Sequence, residues 1–332
     1  LKAILAQGCF RGTGRGLPRA MGAEAAGPGA DGLERALLSK PSGSSMPAAA
    51  RWAWTVVLWW TVLGIGTVLA MVGPTLEELA AQLRLPVAGT GSIITGRACG
   101  YLAAALWCGD LLQRLPNAAA VFGGPLALAC LGVFAIPSIT SYPIFVTCFV
   151  FQGASMGFLD TGGNLMMLDL WRGSSYQNGF VHAFHFFFGL GAAVAPMIVR
   201  LLLQHGYGAM DAWPLVGLVL LPSCVGLAFL LCAPQPRACE EAKEGSEQKA
   251  GAFRIVLLTS VFLFIYVGIE VAFGSYVDLF SVRWLGASKV EAATLTSVYW
   301  AALCAGRAVA AAATPFVHHA RYLAAHLALA SA

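Results

Sequence analysis

From Trp52 onward the chain is a succession of apolar runs, each about 20 residues long and closed by a short polar or Pro/Gly-marked turn. A helix of that length crosses the roughly 30 Å hydrocarbon core of a bilayer. In lipid every backbone N–H and C=O must be satisfied within the chain, so the runs are read as helices and the protein as an all-α membrane bundle. They fall at 52–73, 90–112, 118–137, 144–170, 180–203, 213–232, 253–277 and 293–316, with a ninth beginning near Arg321. Composition agrees: 58% of residues are hydrophobic and only 11% charged, and the mean hydropathy is +0.73, which excludes an ordinary soluble domain. A formal charge of +4, spread over the tail and the loops, gives no basis for nucleic-acid binding. The nine cysteines are scattered, mostly inside apolar runs, without the paired spacing of a zinc site or a disulfide framework.

The runs divide the chain. Residues 1–50 are rich in Gly, Ala, Arg and Ser, lack a signal-peptide h-region, and are expected to be disordered. The chain opens on Leu1 while Met46 lies just before the first run, so 1–45 reads as a segment outside the native protein or from an incomplete gene model. Residues 51–233 form a first six-helix bundle. A charged stretch at 234–252, with Glu240, Glu241, Lys243 and Lys249, reads as a linker, and 253–332 as the start of a second, C-terminally incomplete bundle. Basic residues at Arg35, Lys40 and Arg51, at Arg114, at Arg172, and at Arg237, Lys243 and Lys249 occupy alternate loops. That pattern places the N-terminus and the linker in the cytoplasm.

Asp160 is the residue that asks most of the fold. It lies well inside the fourth run, where an acid is expensive and commonly lines an ion or solute path. At helical spacing Gly153, Gly157, Asp160 and Asn164 share one stripe, which suits close helix approach beside a polar cavity. The plainer reading is an acid satisfied by a neighbouring hydroxyl or arginine that only pins helices together. In the fifth run His182, His185, Gly189 and Pro196 lie near one stripe, and the proline opens or kinks the helix; without a Cys or carboxylate cluster the histidines read as hydrogen-bonded interior groups. In the seventh, Tyr266, Glu270 and Gly274 step by four. In the eighth, Ser297, Trp300, Cys304 and Arg307 share a face. Aromatic faces beside acids and amides suit sugars, whose apolar ring faces stack while their hydroxyls take hydrogen bonds.

Runs two and eight repeat one another: Gly96-Arg-Ala-Cys-Gly-Tyr-Leu-Ala-Ala-Ala105 against Gly306-Arg-Ala-Val-Ala-Ala-Ala-Ala313. That match is the parallel repeat of a two-half carrier. Arg97 and Arg307 are read either as intramembrane charge partners or as side chains snorkelling from near helix ends. After run two the loop Gly109-Asp-Leu-Leu-Gln-Arg114 is a degenerate form of the Gly-x-x-x-Asp-Arg motif of major facilitator proteins, with Gln113 where the Asp stands.

Leu159-Asp-Thr-Gly-Gly-Asn164, followed by a segment from His185 to Pro196 that contains Gly189, Gly191 and Ala192, resembles the sodium-dependent glucose transporters of the major facilitator superfamily, within the fucose permease-like group. The resemblance extends to Val72-Gly-Pro-Thr75, to Gly96 through Leu102 and to Tyr266 through Val271. It implies a twelve-helix-type carrier of the plasma membrane that moves glucose or a related hexose with sodium by alternating access. In the bacterial sugar–proton relatives an acid at the position of Asp160 contributes to coupling, so Asp160 is the expected sodium site, with Asn164 and Glu270 as further coupling-ion residues. Gln152, Asn164, His185, Tyr266 and Trp300 are the expected sugar contacts. Those relatives also carry an acid near the end of the first span, where Thr67 to Pro74 has none. The partners expected are the hexose, sodium and the bilayer, with no cofactor, no enzymatic activity, no nucleic acid and a monomeric state. The alternatives are a facilitator of another small polar solute such as urea and a non-transporting, carrier-derived scaffold.

Overall fold

The computed structural model describes residues 46–174, 176–236 and 246–313. The segment 1–45, the stretch 237–245 and the ninth run near Arg321 lie outside the described residues.

Helix α1 (Ala48–Ala70) and helix α2 (Val72–Gln82) follow one another with a break at Met71. Pro74 explains the break: it has no N–H to give to the Ala70 carbonyl, so the ladder loses a bond there. The chain nonetheless stays helical to Gln82, further than the run 52–73 indicates. The Gln82 amide pins that far end by donating to the carbonyls of Ile136 (2.8 Å) and Ile139 (2.6 Å). A 3₁₀ turn over Val87–Thr90 leads into α3 (Gly91–Arg114). Helix α4 (Ala118–Ala135) starts where the Asn117 side chain accepts the Ala120 N–H. Helices α5 (Tyr142–Leu170), α6 (Gln177–Gln204) and α7 (Ala212–Leu230) follow. Gly206, at φ +81°, takes the left-handed conformation that ends α6.

Helix α8 (Ser246–Leu285) begins inside the stretch read as linker and runs past 277. Gly286, at φ +66°, turns the chain into α9 (Lys289–Ala313). That helix opens on a reciprocal cap: the Ser288 N–H donates to Glu291 Oε2 at 2.8 Å and the Glu291 N–H to Ser288 Oγ at 3.3 Å. Among the described residues six helical segments are long and apolar enough to cross a membrane by length and composition: Ala48–Ala70, Ala118–Ser138, Tyr142–Leu170, Gln177–Gln204, Ala209–Leu230 and Val256–Leu285. The two other long helices, α3 and α9, are the repeated pair, and each carries an arginine in its interior.

Lipid tails are as apolar as leucine, so helices in a membrane associate through close packing and polar contacts. The packing here follows the small residues. A Cβ at Gly153 would fall on the Arg97 carbonyl, one at Gly157 on the Tyr101 carbonyl, and one at Gly100 on the Val150 carbonyl. Helices α3 and α5 therefore touch backbone to backbone, as the stripe through Gly153 and Gly157 predicts. The contact of α1 with α6 is built likewise: Gly66 lies on the Phe188 carbonyl and Gly191 on the Leu63 carbonyl. Large side chains fill the remaining core, among them Trp54, Phe122, Phe149, Phe184 and Trp213. Helix α9 packs on α6, and α8 on α9 and α2.

Replacing Gly157 with Leu forces these backbones apart and is expected to cost about 3 kcal/mol, at the upper end for overpacking. Gly124→Ala, which meets nothing within 4 Å, is the control and leaves stability within about 0.5 kcal/mol. Thermal unfolding of the two purified variants in detergent separates these outcomes.

Candidate functional site

The close crossing of α3 and α5 decides what Asp160 meets. With Arg97 beside Gly153 and Tyr101 beside Gly157, the two helices run in register and in the same direction. The Tyr101 hydroxyl, reaching one turn along α5, donates to Asp160 Oδ2 at 2.5 Å. Asp160 is half-buried and, among the described residues, has no cationic side chain within ion-pair distance. Asn164 is on the same stripe but does not touch the carboxylate. Its Nδ2 turns back to donate to the Asp160 backbone carbonyl at 2.6 Å, leaving only its amide oxygen for another partner.

Glu270 is placed differently. It is 7% exposed and accepts from Arg307 Nη2 at 2.6 Å, so its charge is already balanced from within the protein. The Tyr299 hydroxyl donates to the Glu270 backbone carbonyl at 3.0 Å, and Tyr266 lies beside both members of the pair. His185 on α6 is within electrostatic reach of Asp160, of Arg307 and of His182.

Both interior arginines find partners within the bundle. Arg97 is 4% exposed, and its Nη1 donates to the Leu69 carbonyl at 3.4 Å, beside the break between α1 and α2. Among the described residues it has no carboxylate partner, and the negative end of the α1 dipole is the compensating group it finds. The two repeat-related arginines therefore do unlike jobs: Arg307 balances an acid and Arg97 caps a helix end.

Of the expected sugar contacts, Gln152 is fully buried with neither side-chain atom hydrogen-bonded, and Ser155 Oγ, one turn on, is also without a partner. Tyr266 is exposed. Trp300 departs from the reading of an open aromatic face. It is 2% exposed, and a Cβ at Gly274 would fall on its ring, so the α8 backbone covers the indole. What it can still offer is Nε1–H, which has no partner. Among the described residues no group of three or more His, Cys, Asp and Glu side chains converges as metal ligands. A monovalent cation at Asp160 would therefore draw on one carboxylate plus neutral oxygens, a donor set that fits a weakly held alkali ion. Sequence reasoning did not single out Tyr101 or Tyr299. The signal for Tyr101 was present, because it follows Arg97 by one turn on the glycine-lined face of α3.

Membrane-length helices packed through glycine and threaded by buried acids make a polytopic membrane protein of the carrier type. The family model of the Major Facilitator Superfamily matches residues 58–332, and the chain belongs to that superfamily. It is similar to the mouse sodium-dependent glucose transporter 1A, at 29% identity over 286 residues, covering 75% of this chain and 66% of that protein. It is also similar to the sodium-dependent glucose transporter 1 of human, at 29% identity over 282 residues (75% and 54%), and of Xenopus laevis, at 29% over 272 residues (73% and 54%). The chain spans between about half and two thirds of the length of these curated relatives.

Glu270→Gln leaves Arg307 without its counter-charge. Breaking a buried pair costs about 3–5 kcal/mol; because Arg307 is 30% exposed, a loss of about 2 kcal/mol is expected here. The double variant Glu270→Gln/Arg307→Gln is expected to recover most of it, measured as melting temperature in detergent. A double variant as unstable as the single one would mean that the pair is not what Glu270 contributes.

Proposed function

We propose that the chain belongs to a secondary active transporter that moves glucose or a related hexose with sodium across the plasma membrane by alternating access. In this orientation the N-terminus and the 234–252 linker face the cytoplasm. The observation that carries the reading is the contrast between Asp160 and Glu270. Glu270 is paired with Arg307, whereas Asp160, among the described residues, accepts from the Tyr101 hydroxyl and has no ion pair, and so has a charge left to be balanced by a cation from solution. The names of the relatives add sodium and glucose to that picture.

The chemistry follows from the neighbours. A cation at Asp160 would take the carboxylate, the Asn164 amide oxygen and the Tyr101 hydroxyl oxygen, and would neutralise a charge that is costly in the membrane interior. Because the cost depends on how wet the site is, filling it changes the relative free energies of the outward-open and inward-open states. The sugar is assigned to the unsatisfied Gln152 amide and Trp300 indole N–H, together with the exposed Tyr266 beside the Glu270–Arg307 pair and His185 near Asp160. A polyhydroxylated solute supplies what those buried donors and acceptors lack. Gln152 and Asp160 sit eight residues apart on α5, about 12 Å along its axis, so one rigid helix carries both the sugar contact and the cation site.

Cells expressing the full-length protein are expected to accumulate labelled methyl-glucoside in sodium buffer and not in choline buffer. Asp160→Asn, at equal surface abundance, is expected to abolish the difference between the two buffers. Gln152→Ala is expected to raise KM tenfold or more while leaving the sodium dependence in place, as loss of a buried hydrogen-bonding group implies. Uptake by Asp160→Asn that stayed fully sodium-driven would remove Asp160 from the coupling site.

A further inference from the structure

Four buried residues on three helices hold polar atoms that the contacts described so far leave without a partner. Among the described residues Arg97 Nη2 on α3, both amide atoms of Gln152 and the Ser155 hydroxyl on α5, and Trp213 Nε1 on α7 make no hydrogen bond, and none of the four residues is more than 4% exposed. Helix register brings them to one level of the bundle, that of the break between α1 and α2 at Met71. Gly226 lies against Val57 and Gly64 against Leu220, so α1 and α7 run antiparallel; seven residues on from Gly64 is Met71, and seven back from Leu220 is Trp213. Trp171 Nε1 donates to Thr55 Oγ1 at 3.0 Å at one end of the α1–α5 contact, and at the other Arg97 links Gly153 to the Leu69 carbonyl, so these helices are antiparallel too. Sixteen residues from that first contact, Ser155 stands level with Met71. Gln152 is one turn further, and the ring of Phe149 beyond it lies 6.4 Å from that of Trp213.

We propose that Arg97, with Gln152, Ser155 and Trp213, forms a binding site for a small monovalent anion, either a free halide or the carboxylate of a solute. The set is rich in donors: three of its groups carry N–H, the serine carries O–H, and the Gln152 amide oxygen is the one pure acceptor among them. Its charge is positive and only partly met. Arg97 has no carboxylate partner among the described residues, its one bond to the Leu69 carbonyl is long at 3.4 Å, and a helix end supplies about half an elementary charge. The nearest acid along α5, Asp160, is five residues past Ser155, about 7.5 Å of helix, and is bonded to Tyr101. A buried guanidinium with free donors beside it is completed by one negative charge that accepts hydrogen bonds. A phosphate or sulfate dianion would bring a second charge for which these residues hold no second cation. The site goes beyond the transport reading and shares one residue with it: the Gln152 amide nitrogen serves the anion, and its amide oxygen a sugar hydroxyl.

The test is the melting temperature of purified full-length protein at fixed sodium and pH, with methanesulfonate as the reference anion and chloride, bromide or glucuronate replacing it; glucose at the glucuronate concentration is the uncharged control. A site for free halide is expected to raise the melting temperature by about 2–4 °C in saturating chloride or bromide. If the anion is instead the carboxylate of a solute, the halides leave it unchanged and glucuronate raises it by that amount beyond glucose. Arg97→Gln is expected to remove whichever shift is seen. Ser155→Ala deletes one donor and leaves no group unsatisfied, so it should fold even where the arginine variant does not, and it is expected to raise the half-saturating anion concentration about tenfold. The inference is overturned if neither halide nor glucuronate stabilises, if the shift survives Arg97→Gln, or if Ser155→Ala leaves the half-saturating concentration where it was. Melting needs no transport: an anion effect in a protein that takes up no methyl-glucoside keeps this site and sinks the transport reading, and sodium-driven uptake without an anion effect does the reverse.

Discussion

Everything in this bundle depends on how closely α3 and α5 approach. Two helices can touch backbone to backbone only where side chains are absent, and Gly100, Gly153 and Gly157 supply that absence on both sides of the seam. The resulting register puts Tyr101 against Asp160 and Arg97 beside the break in α1. The same device, Gly66 on the Phe188 carbonyl and Gly191 on the Leu63 carbonyl, holds α1 to α6, the helix that carries His185. Polar chemistry in the membrane is thus placed by the residues that have none.

Electrostatics then separates groups that look equivalent. Asp160 and Glu270 sit inside membrane-length helices and Arg97 and Arg307 in repeated segments, yet the four do not form two like pairs. Arg307 is consumed by Glu270. Arg97 faces a helix end instead of an acid, and Asp160 is left with a hydroxyl. A carboxylate in such a place is costly unless something compensates it, and that asymmetry is the physical basis for proposing ion coupling at Asp160 and structural balance at Glu270.

Much of this was legible in residue order. Run lengths located the long helices, and the stripe through Gly153 and Gly157 announced the close crossing. The repeat around Arg97 and Arg307 picked out the helices whose apolar character is lowest. Other features were not legible, for identifiable reasons. Helix α2 continues past Pro74 because a proline in a first turn costs little, so a motif that reads as a stop is only a bend. Trp300 has the spacing of a ligand-facing aromatic, but the glycine opposite it admits the ring to a tight contact, and spacing on one helix carries no information about the facing one.

The sequence by itself determined the class of the molecule, because a bilayer leaves a chain with these apolar runs no alternative to membrane helices. It also determined which positions would be expensive to bury. Which buried charge is paired, and which is left for a ligand, was decided only by tertiary structure. Glu270 and Arg307 lie 37 residues apart on different helices and meet at 2.6 Å, while the comparable Asp160 and Arg97 do not. A charge in low dielectric is governed by whatever stands within a few ångströms of it, and those neighbours come from helix packing rather than from the order of residues along any one helix.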